Sequence, residues 1–143
     1  TARARADLSL VPNVVEEALR LATPTQGMFR VVKSDTTLGG VDIPKGAMCV
    51  IMFASANRDA AGFPEPDAFV PERANAKDHL AFGKGIHYCV GASLARAEAV
   101  VAVEKILTRL PDLRFGDGND FAYEPSFILR GLKQLHLEFT PAH

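Results

Sequence analysis

At 143 residues and 15.4 kDa, with 48% hydrophobic and 23% charged residues, the chain is the size of one globular domain, and neither a disordered nor a fibrous polypeptide fits it. Lys and Arg number 16 against 17 Asp and Glu, a net charge of −1 with pI ≈ 6.4, so there is no global basic field to draw in nucleic acid or an anionic membrane. Its two cysteines form no disulfide framework, and its longest apolar run (47–56) is far short of the ~18–20 residues that span a bilayer, so a soluble, cytoplasmic protein is expected.

The opening residues, TARARADLSL, contain no apolar h-region, so no signal peptide is expected. Val11-Pro12-Asn13 announces a short amphipathic helix over Val14 to Leu21, with Pro12 suited to a first turn. Pro24 forbids its continuation, and Met28 to Val32 then favours a strand. Val41 to Ile43 and Ala47 to Ala54 are the next strand candidates, joined by the turn tripeptide Pro44-Lys45-Gly46. The second is apolar on both faces, which predicts full burial. From Arg58 to Lys77 the chain carries Pro64, Pro66 and Pro71 without any period, a long irregular loop that Phe63 and Phe69 should anchor.

After a glycine-punctuated stretch, the strongest helix is predicted over Ala92 to Leu110. Apolar residues surround nearly its whole circumference, so burial on most sides is expected. Gly116-Asp117-Gly118-Asn119 reads as a turn. The tail from Leu132 to Phe139 alternates like a half-buried strand, with a hairpin to the segment around Phe127 to Leu129 as its plausible pairing. No repeat and no Gly/Ser-rich linker divides the chain, so residues 1–143 are read as one segment.

The chemistry-bearing stretch is Phe82-Gly83-Lys84-Gly85-Ile86-His87-Tyr88-Cys89-Val90-Gly91, directly before that helix. A cysteine at a helix amino terminus faces the positive end of the dipole and free N–H donors, which favour the thiolate, the metal-ligating form. Three glycines let the backbone bend sharply and a flat ligand lie against it. Five readings compete. His87-x-Cys89 supplies at most two zinc ligands where structural sites need four. Tyr88 stands where a phosphate loop of the Gly-x-Gly-x-x-Gly type needs glycine. A nucleophilic cysteine with His87 as base is poorly served by a partner two residues away. A glycine-rich turn with an inert cysteine is the plain alternative. A single thiolate holding a haem iron needs only one cysteine.

Phe82-Gly83-x-Gly85-x-His87-x-Cys89-x-Gly91, followed by Leu94-Ala95-Arg96, resembles the haem-binding loop of the cytochrome P450 family, the haem-thiolate monooxygenases. Glu17-Ala18-Leu19-Arg20 resembles that family's Glu-x-x-Arg helix, and Phe69-Val70-Pro71-Glu72-Arg73 its meander. Three motifs in the family's order make the resemblance specific, and it extends from about Leu10 to Phe139, nearest to soluble bacterial members.

The resemblance implies a mainly α fold with small β-sheets (α+β), the proximal carboxy-terminal part of the family fold. It makes Cys89 the thiolate ligand of a haem b iron and Phe82 the shield of the sulfur, with Gly83, Val90, Gly91 and Ala95 completing the haem contact. Arg30 and His87 match positions that bind haem propionates. Glu17, Arg20 and Arg73 would form a buried charge cluster with a structural role. Thr25, Met28, Ile128 and Leu129 match segments that line a hydrophobic substrate pocket. Redox partners, a ferredoxin or flavodoxin with its reductase, would dock near Cys89, where Lys84, Arg96, Lys105 and Arg109 outnumber Glu98 and Glu104.

The family's oxygen-activating helix, with its acid and alcohol pair, has no matching segment in this sequence. Three expectations follow: a monooxygenase of which this chain carries the proximal part, a truncated haem-thiolate binding or sensing protein, or a non-enzymatic remnant. The exposed apolar haem face would be covered by a second copy or by a complementing amino-terminal chain.

Overall fold

The computed structural model describes residues 2–140. Helix α1 (Ala2–Ala6) leads through a 3-10 turn at Leu8–Leu10, whose start is capped by Asp7 accepting the Ser9 N–H at 2.9 Å. Helix α2 (Val11–Ala22) starts one turn earlier than its apolar pattern suggests, because Pro12 sits in its first turn. It ends at Thr23, which adopts the left-handed conformation and whose hydroxyl donates to the Arg20 carbonyl at 2.7 Å. The buried face of α2 is only half apolar. Val11 and Val15 are buried on it, and so are Glu16, Glu17 and Arg20.

Strand β1 (Met28–Val31) pairs antiparallel with β4 (Met48–Ile51), placing Arg30 opposite Cys49. Between them, β2 (Thr36–Leu38) and β3 (Val41–Ile43) form a hairpin across Gly39-Gly40, both at positive φ as a two-residue turn requires. The expected strand over Ala47 to Ala54 is cut short by helix α3 (Phe53–Ala56). Its full burial is not observed: Met48, Val50 and Ile51 are exposed, because this sheet has only two strands and no layer packs over them among the described residues.

Residues 57–84 run in successive turns, as the three prolines suggest, with a 3-10 turn at Ala76–Asp78. Phe63 anchors this stretch, buried beneath the Arg20 guanidinium at 5.2 Å, whereas Phe69 stays exposed. A 3-10 turn at Gly85–His87 precedes helix α4 (Ala92–Arg109). The core lies where α1, α2 and α4 meet, on Ala4, Val11, Val15 and Leu107.

Helix α4 is not buried on most sides. Leu94, Val101 and Ile106 are exposed, since α1 and α2 cover one side only. The tail also pairs differently from expectation. Strand β6 (Leu137–Glu138) pairs antiparallel with β5 (Arg114–Phe115), while Leu129 bridges to Thr25 and Tyr123 to Leu132. The class is α+β, as expected: helices with three two-stranded antiparallel sheets.

Candidate functional site

The loop before α4 closes on itself: the Cys89 N–H donates to the Phe82 carbonyl at 2.9 Å, and the Tyr88 N–H to Gly85 at 3.0 Å. Gly83 and Gly85 both take positive φ, 72° and 71°, which side-chain-bearing residues rarely adopt. A Cβ on Gly83 would also stand 3.6 Å from the His87 carbonyl and 3.9 Å from the Phe53 ring. The tight turn leaves the Cys89 thiol exposed just ahead of α4.

Below the thiol opens a cavity of about 540 Å³, and it gathers several of the sequence candidates. Arg30 from β1, Thr25, Met28, Phe82, Gly83, His87 and Cys89 all line it. Leu19, Pro24, Ile51, Phe53, Leu80 and Ala81 supply further apolar wall, and Lys84 a second basic side chain. Among the described residues, no carboxylate lines it. Arg30 donates only to the carbonyl of Phe29, at 2.8 Å, and among the described residues neither it nor His87 has an acidic partner.

Five of the cofactor and substrate candidates are not on this wall. Val90 is wholly exposed, and Gly91 and Ala95 belong to the start of α4. The backbone around Ile128 and Leu129 reaches the site's edge, where Gln26 N–H donates to the Ile128 carbonyl at 2.7 Å and Arg130 N–H to Pro24 at 2.7 Å, but neither side chain lines the cavity.

The donor set fits a flat, apolar, iron-bearing cofactor with two carboxylates. One exposed thiol stands with a guanidinium that has no acidic partner among the described residues, an imidazole and an ammonium in otherwise apolar surroundings. The other local chemistries fare less well. Cys49 lies in β4, and among the described residues no three His, Cys, Asp or Glu side chains gather as a metal set. Nor does the His87 ring hydrogen-bond to Cys89 among the described residues, as a nucleophile and its base would.

Behind the cavity, the expected charge cluster forms. Arg20 grips Glu17 with two bonds of 2.8 and 2.9 Å, and Arg73 reaches both oxygens at 3.0 and 3.1 Å. The remaining guanidinium donors go to carbonyls of the proline-rich stretch, including Pro66 at 2.7 Å and Ala68 at 3.0 Å, and the Val70 N–H donates to Glu17 at 3.0 Å. Burial alone would raise the Glu17 carboxyl, but the donors from Arg20, Val70 and Arg73 outweigh it and hold it below 4.5.

A second charged network is absent from the sequence reading. Glu16, buried one residue earlier on α2, accepts from Arg96 at 2.6 and 3.1 Å and lies 3.0 Å from His79 Nε2. Consecutive helical residues point about 100° apart, so these neighbouring carboxylates serve separate clamps. Because His79 Nδ1 accepts the Ala81 N–H at 3.1 Å, its Nε2 carries the proton given to Glu16. Burial pushes the His79 imidazole below 6.5 despite the Glu16 carboxylate. Arg96, counted in the sequence as part of a basic docking face, is thus largely neutralised by Glu16. Only the adjacency of two glutamates hinted at this, and it reads equally well as a solvated pair.

A model of the family described as Cytochrome P450 matches residues 1–115. The chain is 39% identical over 137 residues to the steroid C26-monooxygenase of Mycolicibacterium smegmatis, an alignment covering 96% of this chain and 34% of that one. Among solved structures, the substrate-free cytochrome P450 CYP150A6 of Mycobacterium marinum superposes with a TM-score of 0.95 at 40% identity, over 99% of this chain and 37% of its own. CYP109Q5 of Chondromyces apiculatus gives 0.92 at 46% identity, over 99% and 36%. The chain therefore spans about a third of the length of these relatives.

Proposed function

The chain belongs to the cytochrome P450 family, whose cofactor is haem iron, and from that premise we propose that its cavity is the proximal side of a haem b site in a monooxygenase acting on a small hydrophobic substrate. The observation that carries this reading is the meeting of Cys89, Arg30 and His87 in one apolar cavity without a carboxylate. When bound, such a haem supplies dioxygen activation, with the thiolate donating electron density that favours O–O cleavage. The protein's own part is to hold and shield. Cys89 is the iron ligand, and Arg30 and His87 pair with the two propionates, each charge-assisted bond contributing roughly 1.5–3 kcal/mol.

With the haem bound, Phe82, at the loop's start, would shield the sulfur, and the Glu17–Arg20–Arg73 cluster fixes the turns behind it. Thr25 and Met28 bring the substrate-facing edge to the same cavity, with Ile128 and Leu129 adjoining it through the backbone. Similarity to a steroid C26-monooxygenase favours an apolar, polycyclic substrate class. Electrons would come from an acidic ferredoxin or flavodoxin with its reductase. Lys84, Lys105 and Arg109 remain as the basic groups for such docking once Arg96 is paired.

The test is the absorption spectrum of the chain supplied with haem, reduced and exposed to carbon monoxide. A thiolate-type band is expected, lost in Cys89→Ala, with haem retention reduced roughly tenfold to a hundredfold in Arg30→Leu and in His87→Ala. Absence of haem uptake by the wild type overturns the reading. Product formation with an added ferredoxin and reductase separates an oxygenating enzyme from a haem-binding or sensing protein.

A further inference from the structure

Arg96 sits two turns into the chemistry: seven residues after Cys89, on the first part of α4, yet in contact with both ends of the cysteine loop. Its Nη1 donates to the Tyr88 hydroxyl at 2.7 Å, and Tyr88 is the residue before Cys89. Its Cζ lies 4.5 Å from the centre of the Phe82 ring, and Phe82 holds the Cys89 N–H through its carbonyl. The same guanidinium is anchored to α2 by the paired bonds to Glu16. Glu16 in turn bonds His79, whose ring stands 6.0 Å from Phe82 and whose Nδ1 takes the Ala81 N–H.

Phe82 thus contacts a guanidinium and an imidazole that share one buried carboxylate. Tyr88 closes the group, its ring 6.5 Å from Phe82. Lysine could not substitute for this: an ammonium has neither the planar fork that pairs with Glu16 while bonding Tyr88 nor the flat face that stacks on Phe82.

We propose that Arg96 and Glu16 are positioning residues for the cysteine loop, fixing Phe82 and Tyr88 so that the Cys89 thiol is presented to the iron in one orientation and one shielded environment. This rests on the reading of Cys89 as the iron ligand. Its test has one arm that needs no haem. Amide hydrogen exchange in the cofactor-free full chain is compared at Cys89, whose N–H is held by Phe82, and at Val70, whose N–H is held by the separate Glu17 cluster. In Arg96→Lys the Cys89 amide is expected to exchange at least tenfold faster while Val70 is unchanged. Tyr88→Phe, which keeps the ring and removes only the hydroxyl, is expected to change it in the same direction by less.

In the haem-loaded chain, the carbon monoxide band of Arg96→Lys is expected to shift from the wild-type position. Unchanged exchange at Cys89 in both variants overturns the proposal, as does equal acceleration at Cys89 and Val70, which reports general destabilisation. Faster exchange with an unmoved band makes Arg96 a brace without influence on the ligand and overturns it as well. Failure of the wild type to give any thiolate band sinks the haem reading instead, while the exchange arm still decides whether the clamp exists.

Discussion

Glu17 is 0% exposed and accepts five hydrogen bonds from four N–H groups, three on two guanidinium groups and one a backbone amide. Removing it strands Arg20, also 0% exposed, and the nearly buried Arg73 without an anion. Glu17→Ala should therefore lower the unfolding free energy by about 3–5 kcal/mol in urea titrations. The exposed Arg3–Glu72 pair is a contrast: Glu72→Ala should cost less than about 1 kcal/mol. His79 makes a second prediction at this scale. Its imidazole titrates below 6.5 in the folded chain, so the unfolded chain binds its proton first as pH falls. That contribution is complete above pH 6.5 and is lost as the pH drops below it. Glu16 and Glu17, held below 4.5, add stability that is lost as the pH falls below 4.5. Urea midpoints measured from about pH 8 to about pH 2 should fall in two stages, and His79→Gln should remove the first; a single stage confined below about pH 4.5 in the wild type would contradict this.

Helix and strand placement was legible wherever local chemistry decided it. Pro12 and Pro24 bracket α2, and Val41–Ile43 is the observed β3. The partner strand β2 was missed although Gly39-Gly40 is a hairpin signal, because Thr36–Leu38 lacks an apolar alternation. Burial was misjudged for β4 and α4, since composition reports what a surface could pack against, not what lies there. In the site, the cysteine, its glycines and the Glu17 cluster were readable from motif order. The Glu16–His79–Arg96 network was not, because its members are 63 and 80 residues apart and each looks like a surface charge. Gly27 carries a prediction at this scale. A Cβ there would meet the Ile51 carbonyl at 2.7 Å and Val50 Cγ1 at 3.3 Å, so β1 and β4 would have to separate. Gly27→Ala should destabilise the chain by roughly 1–3 kcal/mol and, by displacing Arg30 on β1, weaken haem retention beyond that. Wild-type stability in this variant would show that the sheet yields freely.

Over the whole molecule, the polar and apolar surfaces are unevenly finished. The face of α2 toward the turns is closed by ion pairs with no buried side-chain donor or acceptor left unpaired among the described residues. The opposite side is open: Ile86 and Val90 are almost wholly exposed beside Cys89, and Leu94 and Val101, seven residues apart, share one exposed face of α4. Among the described residues, no helix is long and apolar enough to cross a membrane. Large apolar side chains this exposed favour association where they adjoin one another. The chain should therefore associate with itself, with a mass by light scattering that rises with concentration. Leu94→Glu combined with Val101→Lys should lower that mass toward the monomer while leaving the urea midpoint nearly unchanged, because both side chains are exposed and substitutions at such positions typically move stability by about 0.5 kcal/mol or less. A wild-type chain that remains monomeric at high concentration would mean that the α4 face is solvated as it stands.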